Sequence, residues 1–120
     1  MNQRTEIRIS DAEWQIMNAV WNKPPMHMGD ITKALSHTPW KRSTIQTMVA
    51  RLVSKNFIGT NHSGSAFLYY PVVVKEDIVK IYTKAFIDRV YNGKASNLVA
   101  ELASGDYLTT EEKTALKKLL

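Results

Sequence analysis

The chain has 120 residues, of which 44% are hydrophobic and 22% charged, with a formal net charge of +5 and no cysteine. This composition is typical of a globular chain with a packed core, and no apolar run is long enough to cross a membrane. The absence of cysteine excludes disulfides and thiolate metal sites, and together with an N-terminus that has no apolar signal segment it predicts a cytoplasmic protein.

Positive and negative charges are unevenly distributed along the chain. No Asp or Glu occurs between Ile31 and Lys75. The cations of this segment are Lys33, Lys41, Arg42, Arg51, Lys55 and Lys75. An acid-free stretch of this length predicts a surface that faces phosphate groups.

The first two predicted helices are short. Ser10 and Glu13 form a capping box, which opens a helix that ends before Pro24-Pro25. A second helix is predicted over residues 30–36, followed by a turn before Pro39. We interpret the tryptophans of this region as packing residues: Trp14, Trp21 and Trp40.

The third predicted helix, over residues 43–56, has the clearest apolar pattern in the chain. Its buried stripe is formed by Ile45, Met48, Val49, Leu52 and Val53. The side chains on the opposite face are short or can form hydrogen bonds, and none at its centre is charged. Such a face can hydrogen-bond base edges and contact a thymine methyl group. The predicted base-reading residues are Ser43, Thr44, Gln46, Thr47 and Ala50.

Two strand-like runs follow, over residues 57–62 and 66–73, and Ser63-Gly64-Ser65 between them is typical of a hairpin turn. The alternating aromatic residues Phe67, Tyr69 and Tyr70 are compatible with base stacking as in RNA-binding proteins, but we interpret them as packing the hairpin on the core. Three helices and a hairpin predict a winged helix-turn-helix whose third helix enters the major groove. Phosphate contacts are then expected from Lys41, Arg42, Arg51, Lys55, His62 and Ser63.

The remainder of the chain is predicted to be helical. One amphipathic helix stops at Asn92-Gly93, and Ser96 is a candidate cap for a short helix after it. Thr109 and Glu112 form a capping box for the last helix. This region has more large apolar residues than it can bury alone, so we expect a second copy to cover them and to match a palindromic operator. The expected dimerisation residues are Ile78, Ile81, Tyr82, Phe86, Leu98, Val99, Leu102, Leu116 and Leu119.

The predicted fold class is mainly α with a small β-hairpin wing: a winged helix-turn-helix domain over residues 1–74 and a helical dimerisation region over residues 75–120. No P-loop, HExxH, GxSxG or CxxC motif is present, so we expect neither enzymatic activity nor a cofactor. Met26-His27-Met28 has ligands that suit copper(I). We favour loop packing for these residues and predict no metal site.

Several blocks carry a specific pattern: ISDAEWQIMNAVW at residues 9–21, Trp40, TIQTMVARL at residues 44–52, KNFI at residues 55–58 and FLYYP at residues 67–71. Together they resemble the penicillinase repressor family (BlaI/MecI), which also includes the CopY copper repressors. The resemblance covers nearly the whole chain. It implies a dimeric winged-helix repressor of bacterial operators, in which the N-terminal domain binds DNA and the C-terminal helices dimerise.

The resemblance also bears on regulation. β-Lactamase repressors of this family are inactivated by cleavage in the tail downstream of a membrane sensor, which implies a sensor protease as a partner. The cleaved bond would lie near Glu101-Leu102, where this chain lacks the family's Asn-Phe pair. CopY members bind copper or zinc through a C-terminal Cys-x-Cys motif. A member of that branch without cysteine would have lost its metal site.

Three functions stay open from the sequence: a repressor of β-lactamase-type resistance genes, a CopY-like repressor without its metal site, and a winged helix used as a protein-interaction module. The acid-free segment and the uncharged face of the third helix favour double-stranded operator DNA over a protein partner. We therefore expect operator DNA and a second copy of the chain as partners, and no membrane.

Overall fold

The computed structural model describes residues 8–64 and 66–120, without the side chain of Ser63. The helices and strands of these residues are α1 (Asp11–Asn22), α2 (Met28–Ala34), α3 (Arg42–Ser54), β1 (Ile58–Ser63), β2 (Ala66–Pro71), α4 (Lys75–Tyr91), α5 (Ala95–Ser104) and α6 (Thr110–Leu119). This order of three helices, a hairpin and further helices confirms the predicted winged helix-turn-helix layout. None of the described helices is both long and apolar enough to cross a membrane.

The predicted capping boxes of α1 and α6 are confirmed. The Ser10 hydroxyl accepts from the backbone N–H of Glu13 at 3.1 Å, and the Glu13 carboxylate accepts from the N–H of Ser10 at 3.0 Å. Thr109 and Glu112 make the same reciprocal pair at the start of α6. Each box satisfies two N–H groups that a helix N-terminus otherwise leaves without a partner.

Two predicted helix starts are wrong. The second helix begins at Met28, before the expected Asp30, because the Asp30 carboxylate reaches back to accept from the N–H of His27 at 3.2 Å. The helix α5 begins at Ala95, so Ser96 lies in its first turn and does not cap it. In both places local side-chain chemistry allowed more than one helix start, which lies within the usual uncertainty of helix boundaries.

The core of the winged-helix part forms where α1, α2, α3 and the hairpin meet. The predicted stripe of α3 is buried at Ile45, Met48, Val49 and Leu52. The helix α1 contacts α3 and buries residues of its own, such as Ile16. Trp21 is half-buried, and its indole N–H donates to the carbonyl of Val73 at 3.0 Å. Trp14 and Trp40 are also half-buried, so the tryptophans line the margin of the core.

The strands β1 and β2 pair antiparallel, with Thr60 opposite Tyr69 and His62 opposite Phe67. The turn residue Gly64 has a φ of +66°, a conformation that costs glycine little. A third, single-residue strand was not predicted. Met26 exchanges both backbone hydrogen bonds with Tyr69, at 2.9 and 2.8 Å, and so ties the start of α2 to the hairpin.

The chain divides into two compact units, Met1–Ile78 and Val79–Leu120. The first unit contains the buried residues of the winged helix, including Ile78 at its end. Within residues 79–120, all of which the structure describes, no residue is buried. The second unit therefore has amphipathic helices but no closed core of its own.

An ion pair joins α1 to the end of α3. The Lys55 ammonium lies 3.0 and 3.1 Å from the two carboxylate oxygens of Glu13, whose side chain is only 2% exposed. Burial raises the pKa of the Glu13 carboxyl, but hydrogen bonds from the Ser10 backbone and from Lys55, with the positive charge of Lys55, more than offset this and lower the pKa below its ordinary value of 4.5. The folded state thus favours the ionised carboxylate.

We predict that Glu13→Gln lowers the free energy of unfolding at neutral pH by about 1–3 kcal/mol, because charged hydrogen bonds are replaced by weaker neutral ones. Because the pKa of Glu13 is lower in the folded state, this stabilisation is present above pH 4.5 and is lost as the pH falls through the folded-state pKa. Urea denaturation of both proteins from neutral to acidic pH measures the difference.

The matched control is Asp88→Asn, which neutralises a carboxylate in the exposed pair between Lys84 and Asp88. We expect a change below about 0.5 kcal/mol there, since exposed pairs contribute little. A Glu13→Gln protein whose stability equals that of the wild type across the pH range would contradict the structural role of the pair.

Candidate nucleic-acid interface

The exposed face of α3 is the side of the helix opposite its buried stripe. The five predicted base-reading residues are all exposed: Ser43, Thr44, Gln46, Thr47 and Ala50. Helical geometry places Ser43, Thr47 and Ala50 on one line along the outer surface, with Gln46 beside them. The structure therefore brings together on one surface the residues that the sequence pattern selected.

The hydrogen-bonding groups of this face differ in whether they are already bonded within α3. The Thr47 hydroxyl donates to the carbonyl of Ser43 at 3.0 Å, one turn earlier in α3. Its hydrogen is thus used within the helix, while its oxygen can still accept a hydrogen bond. The Gln46 amide can both donate and accept, which is the combination that recognises the edge of an adenine.

The cations that flank this face lie along both of its edges. Arg42 borders the side of Gln46, whereas Arg51 borders the side of Thr44, and both are exposed. Lys41 is the exposed N-cap residue of α3. Within residues 8–64 and 66–120, the ion pairs are Lys55–Glu13 and Lys84–Asp88, so these three cations face solvent without a carboxylate partner.

Lys55 does not belong with these cations. Its ammonium donates to both oxygens of Glu13 and, at 3.0 Å, to the carbonyl of Arg8. An ammonium has three N–H donors, and the two oxygens of one carboxylate lie too close together to take separate ones, so these contacts use two of the three. The charge of Lys55 therefore already serves a buried carboxylate, which distinguishes it from the other expected phosphate contacts of α3, Lys41, Arg42 and Arg51.

The hairpin carries an aromatic surface that was not predicted. The ring of His62 lies 4.0 Å from that of Phe67, centre to centre, and Phe67 in turn stacks on Tyr69 at 6.4 Å. Phe67 is 47% exposed, so its expected role in packing the hairpin on the core is wrong. Tyr70 is also exposed, and its ring covers Gly59, where a Cβ atom would lie 2.5 Å from the ring.

A groove of about 630 Å³ separates α3 from the hairpin. Arg42, Gln46 and Ala50 form its wall on α3, whereas Phe67 and Tyr69 form its wall on β2. Phe67 and Tyr69 are two positions apart in a strand, so the sequence predicts that they share one face of the hairpin. It could not show that this face lines a groove. His62 is exposed near the turn, whereas the side chains of Ser63 and Ser65 lie outside the described residues.

The Met26-His27-Met28 segment packs against the hairpin. Met26 is buried and pairs with Tyr69, and a ring nitrogen of His27 lies 3.2 Å from the carbonyl oxygen of Phe67. In the part of the chain that the structure describes, no three His, Cys, Asp or Glu side chains are grouped so that they could hold a metal ion. The segment thus anchors α2 to the hairpin.

The expected dimerisation residues lie on α4, α5 and α6. All of them except Ile78 are half-buried or exposed, and Phe86 is 41% exposed. Ile78 is removed from the set, because it is 1% exposed and belongs to the first unit. Glu101 and Leu102 lie inside α5, where the Glu101 carboxylate accepts from the Tyr107 hydroxyl at 2.9 Å.

Residues 9–120 match the family model described as Penicillinase repressor. The penicillinase repressor of Bacillus licheniformis is 32% identical over 114 residues, which cover 94% of this chain and 89% of that protein. The methicillin resistance regulatory protein MecI of Staphylococcus aureus (strain N315) is 33% identical over 113 residues, which cover 93% of this chain and 92% of that protein.

A solved structure is similar to the winged-helix part. The solution structure of the monomeric form of Bacillus licheniformis BlaI in complex with the blaP half-operator matches with a TM-score of 0.53 and 33% sequence identity, covering 59% of this chain and 88% of that chain. The resemblance and the fold class predicted from the sequence are thus both confirmed. The chain therefore belongs to the penicillinase repressor family of winged helix-turn-helix transcriptional repressors.

Proposed function

We propose that this chain represses transcription by binding a palindromic DNA operator as a homodimer, with α3 in the major groove. The observation that carries the proposal is the exposed face of α3, which is uncharged at its centre and bordered on both sides by arginine. The relative BlaI was solved in complex with a half-operator, which supports the same class of partner. The operator of this chain would regulate genes of the penicillinase or methicillin-resistance type, by the names of its relatives.

Base reading is assigned to the uncharged face of α3. Gln46 would pair with a base edge through its amide, Thr47 would accept through its hydroxyl oxygen, and Ala50 would contact a thymine methyl group. Ser43 and Thr44, in the first turn of α3, would reach neighbouring bases or the backbone. The small size of these side chains supports the proposal because it lets the helix approach the floor of the groove.

Phosphate binding is assigned to the cations around that face. Arg42 and Arg51 would bind the two backbones that border the major groove, and Lys41 would add a contact at the start of α3. The exposed ring of His62 places a further donor on the hairpin, and the proposal includes Ser63 beside it. Lys55 is left out, since its charge is paired with Glu13 and its ammonium also donates to the Arg8 carbonyl.

Dimerisation is assigned to the second unit. Its helices expose apolar side chains such as Val79, Phe86 and Leu119, and none of its residues is buried within one chain. A second copy would cover these side chains and would give the assembly the two-fold symmetry of a palindromic operator. The proposal leaves out cleavage at Glu101-Leu102, because that bond lies inside α5 whereas proteases favour exposed loops.

A protein-interaction module is the second function that the fold allows, and the charge distribution argues against it. A repressor acts where the DNA is, so the proposal places the chain in the cytoplasm, and it includes no enzymatic step. A gel-shift titration against the intergenic DNA upstream of its own gene, with random DNA as competitor and at two salt concentrations, separates the two functions. Selective, salt-sensitive binding supports the repressor, whereas equal binding to random DNA would exclude it.

We predict that Gln46→Ala weakens binding to the upstream DNA by about 1–3 kcal/mol and relaxes sequence preference, because a base contact is lost. Thr47→Ala should act in the same direction. The measurement is a titration of each variant against upstream and random DNA. Unchanged preference in both variants would show that the reading face lies elsewhere.

We predict that Arg51→Ala weakens binding to upstream and random DNA alike and reduces the slope of log affinity against log salt by about 1, since one phosphate contact is lost. Titration at several salt concentrations measures the slope. The control is Lys23→Ala, which removes a charge from the exposed loop after α1. An Arg51→Ala protein with the wild-type slope would remove Arg51 from the interface.

We predict that Phe86→Glu shifts the protein from dimer to monomer, because it places a charge in the apolar surface assigned to the partner. Sedimentation equilibrium measures the change. The matched control is Val74→Glu, which adds the same charge at a 56% exposed apolar residue of the first unit and should leave the dimer intact. A Phe86→Glu protein that dimerises as the wild type does would move the interface away from this face of α4.

A further inference from the structure

The C-terminal end of α3 makes more polar contacts with the rest of the chain than its N-terminal end does. Asn56, with a φ of +64°, ends it in a left-handed turn, and the N–H of Phe57 donates to the carbonyl of Leu52 at 2.9 Å. Lys55, the C-cap residue, adds its charged contacts to Glu13. At the other end, the N-cap residue Lys41 makes no side-chain capping hydrogen bond. Polar contacts therefore fix α3 mainly at its C-terminal end.

The contacts of Lys55 join three parts of the chain. Its ammonium is bonded to the carbonyl of Arg8 in the segment before α1 and to the carboxylate of Glu13 in the first turn of α1. The same carboxylate accepts from the N–H of Ser10, the N-cap residue of α1. We name this set of four residues, Arg8, Ser10, Glu13 and Lys55, the α1–α3 clamp.

The burial of the Glu13 carboxylate restricts where the Lys55 ammonium can lie. Glu13 is 2% exposed and Lys55 is 34% exposed, so the carboxylate has little access to water if the ammonium moves away. A buried carboxylate without its counter-charge is costly, so the ammonium is held in place. Because Lys55 directly follows α3, holding its ammonium also restricts how α3 can tilt or slide on α1.

We propose that Glu13 and Lys55 are positioning residues for operator recognition, which set the orientation of α3 on α1 so that its uncharged face meets the bases. This inference rests on the proposed function. Hydrogen bonds to base edges weaken steeply when distance or angle changes, whereas a flexible arginine can follow a phosphate through a small shift. Loss of the clamp therefore lowers selective binding more than non-selective binding.

Two other roles of the pair make different predictions. If the pair acted only on stability, its loss would lower the melting temperature but leave the DNA affinity of the folded protein unchanged. If Lys55 contacted a phosphate, its loss would weaken all DNA binding and reduce the salt slope by about 1. The positioning role predicts reduced selectivity with an unchanged salt slope.

The experiment uses the full chain as wild type, Lys55→Met, Glu13→Gln and Lys55→Arg. The control is Lys84→Met, which removes the same charge from the exposed Lys84–Asp88 pair. Each protein is titrated with the upstream intergenic DNA and with random DNA of the same length, at several salt concentrations. The temperature is one at which circular dichroism shows every protein to be fully folded.

We expect Lys55→Met and Glu13→Gln to lower affinity for the upstream DNA by about 10-fold, the equivalent of one base contact. Their affinity for random DNA should stay within about two-fold of the wild-type value, with the same salt slope. Lys55→Arg retains the charge and the donors, and it should recover most of the lost selectivity. Lys84→Met should match the wild type.

Wild-type selectivity in folded Lys55→Met and Glu13→Gln would overturn the inference, and so would a salt slope reduced by about 1 in Lys55→Met. If Glu13→Gln fails to fold, Lys55→Met and Lys55→Arg decide the question, because neither removes the capping carboxylate. A wild-type protein that does not prefer the upstream DNA would instead contradict the proposed function. The two failures are therefore distinguishable.

Discussion

A carboxylate that has lost almost all contact with water needs hydrogen bonds and a counter-charge, and Glu13 obtains both from separate parts of the chain. Ser10, the N-cap residue of α1, donates its backbone N–H to the carboxylate, and Lys55 supplies the charge from the end of α3. The first and third helices are therefore linked by charge as well as by their apolar stripes. Because burial makes an unpaired carboxylate costly, this link constrains where α3 can lie and so which surface it presents.

The same constraint separates the cations of the acid-free segment into one that is paired within the fold and others that face solvent. Charge alone made Lys41, Arg42, Arg51 and Lys55 equivalent as phosphate ligands, but Lys55 is committed to an internal carboxylate. The others border the uncharged face of α3 and face solvent. The basic character of this surface is thus produced by fewer residues than the composition suggests, and these lie at the edges of the face where the backbones of a duplex would pass.

The second unit poses a different physical problem. Its last helix, α6, begins with a capping box and its helices have apolar faces, yet no residue of 79–120 is buried. Helices of about ten residues are marginal in water without packing partners. A second copy that covers these faces would contribute the missing burial and would align two reading helices, which connects the proposed dimer to the proposed operator.

The sequence by itself determined the element order, the two Ser/Thr–Glu capping boxes, the buried stripe of α3 and the exposed face opposite it, because each depends on residues only a few positions apart. Tertiary structure alone decided the ion pair of Lys55 with Glu13, the pairing of Met26 with Tyr69, the exposure of the Phe67 ring and the burial of Ile78. Lys55 lies 42 positions from Glu13 in the sequence. Local periodicity carries no information about such a contact, since the partner is chosen by how the helices pack.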